Sequence, residues 1–254
     1  MNEQDEQPDL ETRRCAFFFD VDGTLAEIQS RPELVFIPPR SLAALERLSA
    51  HNVPVAVVSG RPICQLDALL SPLRLASAGV HGAERRDAAG EPKNLTLDSD
   101  VFDAIQQELA QACAEHPGLT LENKGVAFAL HFRLAPELEQ TARGVAEEFV
   151  ARYGDVLALQ PGKCVFELKP LGASKGEVIR AFMQELPFAG RTPVFIGDDL
   201  TDEAGFRVVN ELGGISIKVG SGATDAAQRL ESVEAVADWL DRLCIGLPEG
   251  QDNQ

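Results

Sequence analysis

The segment that most constrains this chain is an apolar run, Cys15 to Phe19, that ends in Asp20-Val21-Asp22-Gly23-Thr24. The run shows no alternation, which is typical of a buried strand in a parallel sheet covered on both faces. In open α/β sheets, ligands bind at the carboxyl ends of the strands. Because side chains alternate along an extended strand, Asp20 and Asp22 project the same way. We therefore predict that both carboxylates lie where such a fold performs its chemistry.

The same two carboxylates predict a bound metal ion. Neighbouring carboxylates repel each other unless a counter-charge lies between them. A divalent cation removes this conflict, and hard oxygen ligands favour Mg²⁺. The alternative is a loop whose aspartates only cap a helix. The apolar strand before Asp20 and the Gly23-Thr24 pair after Asp22 favour the metal site over that alternative.

The rest of the chain alternates between strands and helices, with one interruption. Buried strands are predicted at 53–58, 75–80, 193–197 and 215–219, and helices are predicted between and after them, including one at 223–229. This alternation is typical of an α/β fold with a doubly wound parallel sheet. Residues 86–168 break it with helices at 99–114 and 136–153 and with paired strands. We predict a discontinuous core at 14–85 and 169–247, an inserted α+β domain at 86–168, and disordered tails at 1–13 and 248–254.

The net charge and the cysteines of the chain indicate which kinds of molecule it does not bind and in which compartment it works. The chain has 23 Lys and Arg against 40 Asp and Glu, for a formal charge of −17. This charge argues against nucleic acid or an anionic membrane as a partner. The five cysteines are scattered and include no Cys-x-x-Cys pair, which indicates a reducing compartment rather than a disulfide framework. We expect a cytoplasmic monomer, with a homodimer as the alternative.

Polar side chains also lie at the ends of two further predicted strands and at the start of one predicted helix. Ser59 ends a strand, and the alternative role for it is a helix N-cap. Lys175 opens a helix after Gly172, where a phosphate group binds well, although it could also be a solvated lysine. Asp198 and Asp199 end another strand and precede Asp202. Helix capping explains Asp202 alone, whereas a metal site explains the three carboxylates together.

In this order, the four motifs resemble those of the haloacid dehalogenase (HAD) superfamily. The resemblance implies that Asp20 is the nucleophile and Asp22 the general acid and base of a phosphatase. It also implies that Ser59 and Lys175 hold the phosphoryl oxygens. The implied metal ligands are Asp20, Asp198 and the main-chain carbonyl of Asp22, with Asp199 supporting Mg²⁺ through water.

A second set of segments is similar to the trehalose-6-phosphate phosphatase family. These segments are Ser59-Gly60-Arg61, Gly79–Arg85, Asn123-Lys124-Gly125, His131-Phe132-Arg133, Glu167-Leu168-Lys169-Pro170 and Gly197–Glu203. Lys169 stands where the family commonly has Arg. The resemblance implies that 86–168 is a type IIB cap that closes on the substrate. It also implies a set of substrate-binding residues: Glu122, Lys124 and Glu167 for sugar hydroxyls, with Gly60, Arg61, His81, His131 and Arg133.

The implied activity is Mg²⁺-dependent hydrolysis of trehalose 6-phosphate through an aspartyl-phosphate. Two alternatives stay open: another type IIB sugar phosphatase, such as one for sucrose phosphate, and a catalytically silent regulatory module. Intact Asp20, Asp22, Lys175 and Asp198 argue against a silent module. For single residues, Glu167 could be an edge-strand surface carboxylate, and His81 and His131 could be structural histidines. We expect Arg85 and Arg86 to be solvated.

Overall fold

A computed structural model of the protein describes residues 12–245 and 247. The predicted tails lie largely outside these residues, and Thr12–Arg14 forms a short 3-10 helix. The strands are β1 Cys15–Phe19, β2 Val55–Val58, β3 Ala76–Gly79, β4 Glu84–Arg86, β5 Thr120–Asn123, β6 Phe128–His131, β7 Leu157–Gly162, β8 Val165–Pro170, β9 Thr192–Gly197, β10 Ile215–Val219 and β11 Gln228–Leu230. The α-helices are α1 Pro39–Ala50, α2 Ile63–Leu70, α3 Ser99–Glu115, α4 Glu139–Arg152, α5 Lys175–Phe182, α6 Glu203–Glu211 and α7 Val233–Ile245.

Residue contacts divide the described chain into two compact units. The first unit comprises the described residues up to Val57, Asp67–Leu75 and those from Ile179 onward. Its strands pair in the order β11-β10-β9-β1-β2, and every pair is parallel. The mostly parallel sheet of the predicted α/β fold is therefore confirmed.

Strand β1 is buried on both faces of the sheet. All five of its residues are buried. The ring of Phe17 packs edge-on against Trp239 of α7, whereas the ring of the next residue, Phe18, packs against Phe182 of α5. Since successive side chains point to opposite faces, helices cover both sides of the strand. The absence of polar alternation in the sequence follows from this burial.

The second unit comprises Val58–Leu66 and Ala76–Val178. It contains a four-stranded antiparallel sheet in the order β5-β6-β8-β7. Helices α3 and α4 pack on one face of this sheet through a core that includes Leu109, Phe128, Phe149, Phe166 and Leu168. The predicted core and cap boundaries at 85/86 and 168/169 remain a prediction, because the contacts group Val58–Leu66 with Ala76–Val178 instead.

Two local predictions are wrong. Strand β4 pairs antiparallel with β3, and Arg86 also forms an antiparallel bridge with Pro92. This pairing buries Arg85 and Arg86, which are 9% and 5% exposed rather than solvated. The predicted helix at 223–229 is replaced by β11, which extends the parallel sheet beside β10. Periodicity over so short a segment does not distinguish a helix from a strand.

Within the described ranges, no helix is both long enough and apolar enough to cross a membrane.

Candidate active site

The first unit brings three carboxylates together. Asp20, Asp198 and Asp202 each offer one carboxylate oxygen, and these oxygens lie within 4.8 Å of one another. Asp20 follows β1 and Asp198 follows β9, and these two strands are parallel neighbours. The carboxyl ends of the strands therefore place both side chains at one edge of the sheet, as predicted. Asp20 and Asp202 are buried, at 4% and 0% exposure.

Asp202 is fixed by the turn that follows β9. Its Oδ2 accepts hydrogen bonds from the backbone N–H groups of Asp198 and Asp199, each at 2.9 Å. The side chain of Asp199 turns the other way, and its Oδ1 accepts from the backbone N–H and the hydroxyl of Thr201. The two aspartates form a reciprocal capping box. Asp202 thus both caps the turn and belongs to the cluster, whereas the exposed side chain of Asp199 caps the turn.

The acidic cluster contains the carboxylates of Asp20 and Asp198, which the resemblance implies as ligands, together with that of Asp202. The implied contacts of Asp22 and Asp199 use a main-chain carbonyl and a water molecule, so a grouping of carboxylates does not test them. Gly23 leaves room for the cluster, since a Cβ built there would lie 2.1 Å from Asp198 Oδ2. Its φ of +86° also favours glycine.

The sequence did not predict a role for Lys218 at the cluster. Lys218, in β10 and 6% exposed, donates a hydrogen bond from Nζ to the backbone carbonyl of Asp198. Thr24 is fully buried, and its hydroxyl has no hydrogen-bond partner among the described residues. A lysine inside the apolar run Ile215–Val219 was the only sequence signal for Lys218.

The cluster fits a Mg²⁺ ion. All the grouped donors are carboxylate oxygens, the ligands that this hard cation prefers. Asp20 and Asp202 are buried, and a bound cation would offset part of the cost of burying their charges. Asp20, Asp198 and Asp202 are therefore the side chains that would hold the ion.

The second unit carries a polar face on its four-stranded sheet. Paired residues of antiparallel strands share a face, and Ala129 lies opposite both Glu122 and Glu167. His131 lies two residues from Ala129 and therefore projects to the same face. The opposite face carries Phe128, Leu130, Phe166 and Leu168, which pack against the helices. Strand alternation thus places Glu122, His131 and Glu167 on the face that the helices leave open.

Glu167 is the most buried carboxylate of this polar face. It is 6% exposed and belongs to β8, which lies between β6 and β7, so the edge-strand alternative is wrong. Lys124 Nζ donates to Glu167 Oε1 at 2.5 Å, and His81 Nε2 lies 2.8 Å from Oε2. Burial acts to raise the pKa of Glu167, but His81 and Lys124 outweigh it and lower that pKa to about 2. Glu167 is therefore an ionised, buried carboxylate.

Burial opposes protonation of His81 in this setting. Burial lowers the pKa of its imidazole, more strongly than the hydrogen bond and charge of Glu167 raise it, and the charges of Lys175 and Lys169 lower it further. Lys124 is therefore the cation that balances Glu167. The Nδ1 of His81 is buried without a hydrogen-bond partner among the described residues.

Glu122 and His131 form a second, more open pair on the same face. His131 Nε2 lies 2.8 Å from Glu122 Oε2, and both side chains are more than a third exposed. The hydrogen bond from His131 is the main cause that lowers the pKa of Glu122. The pair leaves polar atoms accessible to a ligand.

Two loops of the second unit hold Ser59, Gly60 and His81 together. The backbone N–H of His81 donates to the carbonyl of Ser59 at 2.9 Å, and Lys124 Nζ donates to that of Gly60 at 3.2 Å. A Cβ on Gly60 would lie 2.8 Å from the imidazole of His81. His81 itself adopts φ +55°, a costly backbone conformation that the loop contacts maintain.

The remaining predicted residues of this unit differ in burial. Ser59 is 1% exposed, and its Oγ accepts from the backbone N–H of Arg61 at 3.3 Å, while Glu84 binds the N–H of Ile63 at the start of α2. Lys175 is 2% exposed, so it is not a solvated lysine. Arg133 is exposed and donates to the carbonyl of Lys163, away from the contacts of Glu167.

Comparison with known proteins agrees with this geometry. The model of the trehalose-phosphatase family matches residues 18–234. The chain belongs to the trehalose-phosphatase family. It is 49% identical over 249 residues to a trehalose-6-phosphate phosphatase of Escherichia coli K12, a match that covers 98% of this chain and 93% of the relative.

Solved structures confirm the HAD-like fold. The C-terminal domain of the Candida albicans trehalose-6-phosphate phosphatase superposes with a TM-score of 0.78 at 24% identity, covering 92% of this chain and 93% of that one. A haloacid dehalogenase-like hydrolase from Bacteroides thetaiotaomicron has a TM-score of 0.69 at 15% identity, covering 90% and 98% of the two chains. At these identities the likeness establishes the fold alone. As a trehalose-phosphatase family member, this protein is a phosphatase of the HAD-like fold.

Proposed function

We propose that this phosphatase hydrolyses trehalose 6-phosphate to trehalose and inorganic phosphate, the last step of trehalose biosynthesis. The observation that carries the substrate assignment is the nearly full-length match to a relative of that name at 49% identity. The buried pair of Lys124 and Glu167 supports it, because buried charged groups favour a ligand whose hydroxyls satisfy them. The acidic cluster supports phosphoryl transfer as the chemistry.

In this proposal, Asp20 attacks phosphorus and becomes an aspartyl-phosphate, while the P–O bond to the sugar breaks. Asp22 gives its proton to the leaving oxygen of trehalose and then takes one from the water that hydrolyses the aspartyl-phosphate. Ser59 and Lys175 hold the phosphoryl oxygens. When bound, Mg²⁺ supplies positive charge to the phosphoryl group, and Asp20, Asp198 and Asp202 hold it.

The sugar is recognised by the polar face of the second unit. Glu122, Lys124 and Glu167 bind its hydroxyls, and Gly60, Arg61, His81, His131 and Arg133 complete the predicted contacts. We also propose residues 86–168 as the cap. The chain acts as a cytoplasmic monomer, in keeping with its charge of −17 and the free cysteines of the described residues, and needs neither nucleic acid nor membrane.

Release of phosphate from trehalose 6-phosphate, with trehalose identified as the second product, tests this function. Activity in Mg²⁺ that EDTA abolishes and Mg²⁺ restores is the expected result. No phosphate release from trehalose 6-phosphate would contradict the function, and full activity in EDTA would contradict the metal.

The metal ligands are tested by comparing Asp202→Asn with Asp199→Asn, since both lie in one capping box. Calorimetric titration of Mg²⁺ into protein without substrate should show weaker binding for Asp202→Asn than for Asp199→Asn. Equal losses would mean that the box matters only for the fold of the turn.

A further inference from the structure

Lys169 is a buried lysine to which neither the proposed mechanism nor the sequence analysis assigns a role. It is 4% exposed and lies in β8, two residues beyond Glu167. A buried ammonium group is costly unless polar partners satisfy it. Its Nζ donates to Gln160 Oε1 at 3.0 Å, and Gln160 is neutral. One neutral acceptor leaves much of the hydrogen-bonding capacity of this group for a ligand, since an ammonium has three donors.

Strand register places Lys169 on the polar face. Gln160 lies opposite Glu167, and Ala158 lies opposite Lys169. Residues two apart along β8 point the same way, so Lys169 and Glu167 share a face. Leu168, between them, points to the opposite face and packs in the helix-covered core. Lys169 therefore extends the row of ligand-facing side chains that Glu122 and Glu167 begin.

The charges around Lys169 point to an anion. Glu167 attracts it from the same strand, but Glu167 already pairs with Lys124 at 2.5 Å and contacts His81. Lys175, at the start of α5 and 2% exposed, repels it. Burial, opposed by Glu167 and assisted by Lys175, lowers the pKa of Lys169 to about 8. A ligand with negative charge would therefore be attracted to Lys169.

We propose that Lys169 binds the phosphorylated end of the substrate as a second cation in addition to Lys175. Gln160 holds the ammonium in place as a positioning residue. This inference rests on the proposed function, in which Lys175 holds the phosphoryl oxygens. It assigns Lys169 to the phosphate rather than to a sugar hydroxyl, so its effect extends to any phosphomonoester substrate and to inorganic phosphate.

The test measures KM for trehalose 6-phosphate and for p-nitrophenyl phosphate, and the inhibition constant of inorganic phosphate, in wild type, Lys169→Met and Lys169→Arg. Loss of a charged hydrogen bond weakens binding by about ten- to a hundredfold. All three constants should rise by such a factor in Lys169→Met, whereas Lys169→Arg should restore most of the affinity. Lys163→Met removes an exposed lysine from the β7–β8 turn and is the matched control.

A pH profile separates this role from a structural one. Above about pH 8, Lys169 loses its charge, whereas a phosphate monoester, with a second pKa near 6, is already a dianion. KM of the wild type should therefore rise above about pH 8. This rise should be absent in Lys169→Arg, because arginine stays protonated.

The activity of the wild type tests the proposed function, and the behaviour of the variants tests the role of Lys169. No phosphate release from trehalose 6-phosphate by the wild type overturns the proposed function, whatever the variants do. With that activity present, an unchanged phosphate inhibition constant in Lys169→Met overturns the inference. A rise of KM at alkaline pH in Lys169→Arg that equals the rise in the wild type would also overturn the inference. Effects confined to trehalose 6-phosphate and absent for p-nitrophenyl phosphate would assign Lys169 to the sugar instead and also contradict the proposal.

Discussion

Lys124 and Glu167 form a buried ion pair, with 2.5 Å between Nζ and Oε1 and less than a tenth of either side chain exposed. Such a pair is expensive to break from one side, because the remaining charge stays buried without a partner. Lys124 also donates to the carbonyl of Gly60. One lysine therefore links the turn after β5, the centre of the polar face and the loop after β2.

Because of this ion pair, the free energy of unfolding should depend on pH between the folded and the unfolded pKa of Glu167. The pKa of Glu167 is about 2 in the folded protein, below its usual value of 4.5. A carboxyl whose folded pKa is lowered contributes stability above its unfolded pKa and loses it as pH falls through the folded value. The difference in melting temperature between wild type and Glu167→Gln should be largest above pH 4.5 and shrink towards pH 2. A difference that does not change with pH would contradict the ionised pair.

Gly23 allows a prediction with a matched control. An alanine at Gly23 would place its Cβ on the carboxylate of Asp198, whereas an alanine at Gly90 meets nothing within 4 Å. Both glycines have φ near +90°, so each alanine costs about 1–2 kcal/mol of backbone strain. Gly23→Ala should lose Mg²⁺ binding and activity, whereas Gly90→Ala should lose only stability. Equal Mg²⁺ affinity of the two variants, measured by calorimetry, would contradict the proposed cluster.

The proposed mechanism predicts that both aspartates of the first motif are needed for turnover, and that only Asp20 carries the phosphoryl group. Asp20→Asn removes the nucleophile, so turnover should fall below about 1% of wild type. Asp22→Asn removes the proton donor, and turnover should fall by about 10²–10⁴-fold. Melting temperatures check that both variants fold. Labelled phosphate trapped on Asp20 of the wild type would support the covalent route, and more than a few per cent activity in Asp20→Asn would exclude it.

Much of this fold is readable from the sequence, for a physical reason. The apolar run Cys15–Phe19 has no polar alternation because both faces of β1 are covered, so its burial is written in consecutive residues. The same holds for the strand that leads to Asp198. Motifs at the ends of such strands are therefore predicted well.

The features that the sequence did not predict depend on how strands pair or on which way a side chain points. Lys169 and Gln160 join the polar face only through the register of β7 and β8, which the sequence does not state. Asp202 and Asp199 are alike in sequence, and only the turn decides that Asp202 points inward. The strand β11 forms because β10 offers a sheet edge, a long-range contact that no local pattern reports.

The polar face predicts selective losses. Replacing Glu122, Lys124 or Glu167 by Ala removes a charged hydrogen-bonding group, worth about 1.5–3 kcal/mol. Catalytic efficiency on trehalose 6-phosphate should fall by about ten- to a hundredfold. Efficiency on p-nitrophenyl phosphate, which lacks the sugar hydroxyls, should fall far less. Equal losses on both substrates would mean that these residues support the fold of the second unit rather than recognition.

The most direct test of the account is the catalytic efficiency of the wild type on a panel of sugar phosphates in Mg²⁺, measured by phosphate release. Trehalose 6-phosphate, sucrose 6-phosphate and glucose 6-phosphate carry similar phosphate esters, so differences among them report recognition of the sugar. We predict that the efficiency on trehalose 6-phosphate exceeds that on either other ester by at least about tenfold, the loss expected for one unmade hydrogen bond to a charged group. Equal or higher efficiency on sucrose 6-phosphate or glucose 6-phosphate would contradict the assignment of trehalose 6-phosphate as the substrate.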